Sequence, residues 1–149
     1  MQLKELDRYA RWIDKFKFDS VTMQWQITLV FGKTIIAPKI ERAINMVQRS
    51  IAFDVACNVA EVLNVNAEVI SSQRTQKREN SDARKVMVHI LLNDFGFSYA
   101  LIREITHYSN NGSLKYSIDQ SVINRAVYLK LEKVYSRFPW IKNTRLPIR

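Results

Sequence analysis

Only three glycines and three prolines interrupt these 149 residues. Both residue types punctuate a chain, glycine at tight turns and proline at helix and strand boundaries. A chain this poor in them folds into long regular elements with few sharp reversals, which favours helices. The clearest case follows Pro38. Ile40, Ala43/Ile44, Val47 and Ile51 line one helical face, and Val55, Val59 and Val62/Leu63 continue the stripe. This spacing predicts one long helix, or two with a bend near Ser50, stopped by Asn64-Val65-Asn66. Ala67 to Ser71 reads as a short helical turn.

The N-terminal part has a different rhythm. Leu3, Leu6, Tyr9/Ala10, Ile13 and Phe16/Lys17 recur at helical spacing, so an amphipathic helix is expected over roughly 2–16. After Asp19-Ser20, Val21, Met23, Trp25, Ile27 and Leu29 alternate with polar residues, which is strand periodicity. Gly32-Lys33 would turn the chain into a short returning strand at Thr34-Ile35-Ile36. A two-stranded hairpin alone is marginal in water, so it must pack on something. Helix stays open for this stretch. The expected division is an N-terminal helix with a possible β-hairpin over 1–38 and a helical domain over 39–149.

The charge is concentrated. Residues 1–70 carry nine Lys/Arg against eight Asp/Glu, whereas residues 71–149 carry fourteen against six. Nearly all of the +9 net charge therefore sits in the second half, and a localised positive field suits a polyanion. That half also has the parts for sitting on duplex DNA. Ser71 to Arg78 is a loop without apolar residues, carrying Arg74, Lys77 and Arg78, free to follow phosphates or enter a minor groove. A helix over roughly 82–93 follows, with Arg84 and Lys85 near its start and Val86/Met87, Ile90 and Leu91 facing inward; Gly96 suits the left-handed position past its end. Ser98 reads as the N-cap of a short helix over 99–107, where Ser98 and Tyr99 can meet a phosphate oxygen. After a polar connection containing Lys115, Ser117 and Gln120 form a capping box for a closing helix that runs to about Tyr135. Val122, Ala126 and Leu129 form its inward row, flanked by Ile123 and Val127. Asp119, Gln120, Ser121, Asn124, Arg125 and Tyr128 are left outside, near its positive end. Asn or Gln can pair with adenine, Arg can fork onto guanine, and Asp can accept from cytosine.

Those residues carry a family resemblance. The run Val59-Ala60-Glu61-Val62-Leu63-Asn64-Val65, then Ser72 with Arg74, Lys77 and Arg78, then Arg84-Lys85 before Val86-Met87-Val88-His89-Ile90-Leu91, then Ser98 with Ile102, resembles the C-terminal DNA-binding domain of the bacterial replication initiator DnaA. The resemblance covers Ile51 to Val134. It implies a mainly helical bundle with a Trp repressor-like helix-turn-helix, the basic loop in the minor groove and the closing helix in the major groove. The chain departs from the family at the start of the closing helix, where Ser117-Ile118-Asp119-Gln120-Ser121 stands in place of an Arg-Asp-His-Thr-Thr run. No G-x-x-x-x-G-K phosphate loop occurs, so the initiator's ATPase chemistry is not expected.

Little in the sequence points to catalysis. His89 and His107 are the only histidines and Cys57 the only cysteine. No ligand spacing for a metal is present, no cofactor is expected, and Cys57 reads as a small buried apolar residue. Without an apolar leader or a membrane-length apolar run, the expected location is cytoplasmic. The expected function is sequence-preferring binding of double-stranded DNA in replication or transcription. The alternative is a non-catalytic interaction or assembly module, in which Trp12, Trp25 and Phe31 would form a homodimer or partner surface.

Overall fold

The computed structural model describes residues 6–30, 32–72, 78–106, 114–115, 119 and 124–142. It is mainly helical, with a three-stranded antiparallel sheet at the N-terminal end. The strands are β1 (Ile13–Asp19), β2 (Gln24–Leu29) and β3 (Thr34–Ala37), in the order β1-β2-β3. The helices are α1 (Ile40–Leu63), α2 (Ala67–Ser72), α3 (Arg78–Asn93), α4 (Tyr99–Thr106) and α5 (Arg125–Arg137). The chain divides into two compact units, Met1–Ile51 and Ala52–Arg149, and the division falls inside α1 rather than after Pro38.

In the first unit Leu6 and Asp7 are helical, but the expected helix over 2–16 does not continue: a 3-10 turn at Ala10–Trp12 leads into β1. Ile13 to Asp19 supports both periods. Ile13 and Phe16 fit a helix face, yet Phe16 and Phe18 also alternate with Lys15 and Lys17. Pairing with β2 decides for the strand: Phe16 stands opposite Ile27 and Phe18 opposite Trp25. The Phe16 and Trp25 rings stack at 5.3 Å with 11° between their planes, and Phe18 tilts against Trp25 at 5.0 Å. The β1–β2 reversal is held by the Asp19 carboxylate, which accepts from the backbone N–H of Val21 at 2.9 Å and of Thr22 at 3.4 Å. Those two bonds hold the Asp19 carboxyl below its ordinary range. Met23 takes φ of +59° to complete the turn. β1 extends the expected β2–β3 hairpin into a three-stranded sheet, in which Ile27, Leu29, Ile35 and Ala37 are buried. Trp12 is buried in this unit, which removes it from the expected partner surface; Trp25 is half-buried and Phe31 lies outside the described residues.

The long stripe after Pro38 forms one continuous helix. Ala43, Ile44, Val47, Ile51, Val55 and Val59 are buried along it. Asn64 ends it in the left-handed region, at φ of +56°. Asn66 then caps α2, its Oδ1 accepting from the N–H of Glu68 at 2.9 Å.

In the second unit α3 is the hub, packing on α2, α4 and α5. It starts one turn before the expected residue 82, because Arg78-Glu79-Asn80-Ser81 forms a polar first turn with Glu79 near the positive helix end. Ala83, Val86, Met87, Ile90 and Leu91 fill its core side. Gly96, with φ of +70°, closes it as the sequence predicts. Ser98 caps α4 as predicted, its Oγ accepting from the Leu101 N–H at 3.1 Å.

Candidate nucleic-acid interface

The closing helix differs from its expected form in both start and phase. Its first residue is Arg125, and Asn124 is extended at φ −87° and ψ 112°. The Asn124 Oδ1 accepts from the N–H of Ala126 at 3.0 Å and of Val127 at 3.3 Å. Asn124 is therefore the N-cap, and its amide oxygen is committed to the helix end instead of a base edge. Of the residues expected near this end, Ser117, Gln120 and Ser121 lie outside the described residues, as does the proposed capping box; Asp119 is exposed. The inward row is Val127, Leu131, Val134 and Tyr135, while Ala126 and Leu129 face out. Two apolar rows competed at helical spacing, and the longer one won. Val122, the first residue of the rival row, lies outside the described residues.

The rotation brings different side chains to the surface. A shallow open depression on α5 is lined by Ala126, Leu129, Lys130, Glu132, Lys133 and Ser136. Lys130, Lys133 and Arg137 follow one another at three- and four-residue spacing and share a side of α5. Sequence reasoning missed Lys130 and Lys133. Their spacing was visible, and the wrong inward row hid it.

Lys130 also ties α5 to the start of α3. Its Nζ donates to the Asp82 Oδ2 at 2.9 Å, and the Arg78 Nε lies 4.0 Å from the same oxygen. The Asp82 side chain is only 5% exposed, against 77% for Arg78 and 32% for Lys130. Two cations thus converge on one sunken carboxylate and leave a net positive charge at the rim. Arg78, at the end of the cationic segment, and the Lys130 side of the closing helix therefore belong to one side of this unit. Arg74 and Lys77 lie outside the described residues.

Arg84 is a correction to the expected phosphate contacts. It is 7% exposed, and its Nη2 donates to the carbonyl oxygen of Thr106. Thr106, itself buried, donates from Oγ1 to the Ile102 carbonyl at 2.5 Å. The guanidinium thus joins α3 to the end of α4 and is withdrawn from solvent. Lys85 and Tyr99 are half-buried, while Ser98 and Lys115 are exposed. The Ser98 hydroxyl accepts within its own helix cap and keeps its proton for another acceptor.

Arg125 and Tyr128 are exposed. At about 100° per residue, Arg125 stands roughly 140° around α5 from Lys130. The residues expected to read bases and those that face Arg78 thus occupy different sides of one helix. The Tyr128 hydroxyl is held above its ordinary range by its hydrogen bond to Glu132 on the next turn.

Burial favours the neutral forms of Cys57 and His89. Burial pushes the Cys57 thiol up, and the nearby Asp54 adds to the shift. Cys57 is half-buried, not fully buried as expected. Burial lowers His89, partly offset by Asp94. Among the described residues no three His, Cys, Asp or Glu cluster to hold a metal, and no helix is long and apolar enough to cross a membrane. His107 lies outside the described residues. No protein-family model, curated protein or solved structure matches this chain.

Proposed function

We propose that the helical unit, Ala52–Arg149, binds double-stranded DNA with a preference for particular sequences, in replication or transcription control. The observation that carries this reading is the convergence of Arg78 and Lys130 on Asp82. It supports a continuous cationic surface joining the first turn of α3 to the closing helix. The positive excess of residues 71–149 and the sequence resemblance to an initiator's DNA-binding domain favour the same partner. Arg78 and Lys133 hold phosphates, while Arg125, at the exposed start of α5, approaches base edges.

Selection from random duplexes followed by fluorescence anisotropy across salt concentrations tests the reading. Arg78→Gln and Lys133→Gln should weaken all sequences alike, each flattening the log–log salt slope by about 0.9. Arg125→Ala should relax preference at particular base pairs by about 1–3 kcal/mol. No enriched sequence, or equal loss on every sequence from all three changes, would refute it.

A second reading, an interaction or assembly module, is favoured by the exposed apolar residues of the N-terminal unit. Val21 is 90% exposed, Met23 63% and Val30 53%. Concentration-dependent self-association abolished by Val21→Ser with Met23→Ser, together with no DNA binding, would select that reading.

A further inference from the structure

The exposed edge of the sheet carries a second arrangement, in a unit that the duplex-binding proposal does not use. β1 is an edge strand, and its five consecutive residues from Asp14 to Phe18 are all exposed. Lysines on an edge are a common guard against unwanted strand pairing, which accounts for Lys15 and Lys17. It does not account for Phe16 and Phe18, each 42% exposed at the same edge. Both rings contact Trp25, so the three form one aromatic shelf. On the same face Ile27, Ile35 and Ala37 are fully covered, so the shelf lies where that cover stops.

We infer that the β1 edge, with Phe16, Phe18 and Trp25 as its stacking surface and Lys15 and Lys17 as its cations, is a binding site for single-stranded DNA. A single strand needs ring faces for its bases and cations for its phosphates, repeated along a line. β1 supplies both in alternation. Phe16 and Phe18 are about 7 Å apart along the strand, at two residues' rise, and Lys15 and Lys17 alternate with them on the other face of the same edge strand. Charge allows a polyanion here: residues 1–51 carry nine Lys/Arg against five Asp/Glu. Of the two carboxylates of β1, Asp19 is turned into its own hairpin, and Asp14 is exposed at the far end of the strand from Phe18. The shelf has no side-chain hydrogen-bonding group except the Trp25 indole N–H. It is therefore built neither to read base edges nor to select a ribose hydroxyl, and binding is expected to be indifferent to sequence and no tighter for RNA.

The test uses the full chain at low salt and fluorescence anisotropy with labelled dT15, U15 and a DNA hairpin duplex, with phosphatidylserine vesicles as a fourth arm. Phe16→Leu with Phe18→Leu keeps apolar bulk against Trp25 but removes the ring faces. It should weaken dT15 binding at least about five-fold per ring. Lys15→Gln with Lys17→Gln, at exposed positions that leave the sheet's packing alone, should weaken it and flatten its salt dependence. Neither pair should alter duplex binding, while Arg78→Gln with Lys133→Gln should spare dT15. The inference therefore fails or stands independently of the duplex reading. It is overturned if dT15 does not bind, if it binds equally well after both β1 changes, or if U15 binds more tightly. It is also overturned if the vesicles bind and the β1 changes abolish only that binding.

Discussion

Arg84→Met separates two roles for one side chain. The substitution keeps most of the aliphatic stem and removes every guanidinium donor. In the folded protein the Thr106 carbonyl would then face a thioether in a site where Arg84 is only 7% exposed and Thr106 fully buried. A hydrogen bond to a charged group contributes about 1.5–3 kcal/mol, and an unsatisfied buried acceptor costs a similar amount. These describe the same bond from its two ends, so the expected loss is about 2–3 kcal/mol rather than their sum. For a cooperative unit of about a hundred residues this lowers the unfolding midpoint by roughly 10–15 °C. Urea and thermal unfolding followed by circular dichroism read this directly, and amide exchange should rise first in α4. A phosphate contact would behave otherwise. Stability would stay within about 0.5 kcal/mol, and the salt slope of DNA binding would flatten by about 0.9. That second pattern would refute the assignment of Arg84 as a brace between α3 and α4.

Three more expectations follow from the same contacts. Asn124→Ala should destabilise the second unit by about 1 kcal/mol, whereas Asn124→Asp should keep most of the cap; equal effects in chemical denaturation would contradict the capping role. A double-mutant cycle between Asp82→Asn and Lys130→Gln should give a coupling of about 1–2 kcal/mol, above the usual surface pair because Asp82 is sunken; coupling near zero would show that the two do not pair in solution. The Tyr135 hydroxyl donates to Asp94 at 2.5 Å, and burial, then that carboxylate, push its ionisation well above the ordinary range. Its folded-state value is raised, so its contribution is complete below the unfolded value near 10 and is lost as pH rises through the folded one. The alkaline fall in stability should be shallower in Tyr135→Phe, and an unchanged slope would remove Tyr135 as its source.

What could be read from the sequence depended on whether the deciding contact was local. The helix after Pro38, the Ser98 cap and the Gly96 stop follow from spacing or from one residue's own conformational freedom, and each appears where predicted. β1 was misread because Ile13 to Asp19 satisfies both a helical and an alternating pattern, and only its register with β2 settles the choice. The closing helix was misphased for a related reason. Val122, Ala126 and Leu129 rival Val127, Leu131 and Val134, and in α5 the second row is buried while Ala126 and Leu129 are exposed. The fates of Arg84 and Lys130 were beyond reach, since their partners lie 22 and 48 residues away. A charged side chain in a helix looks the same in sequence whether it serves a carbonyl, a carboxylate or solvent.

The continuity of α1 has a consequence for tolerance to length change. Within the second unit its buried row runs from Ala52 and Val55 to Val59 and Ala60. Inserting a single residue near Asp54 would swing the later part of that row by about 100° and lengthen the rod by about 1.5 Å, so its two ends could not both stay in the same hydrophobic interior. Adding four residues returns the row to within about 40° of its original bearing. A scan of insertions at this point should therefore rise and fall with the helical repeat, where a flexible linker would show only a gradual trend.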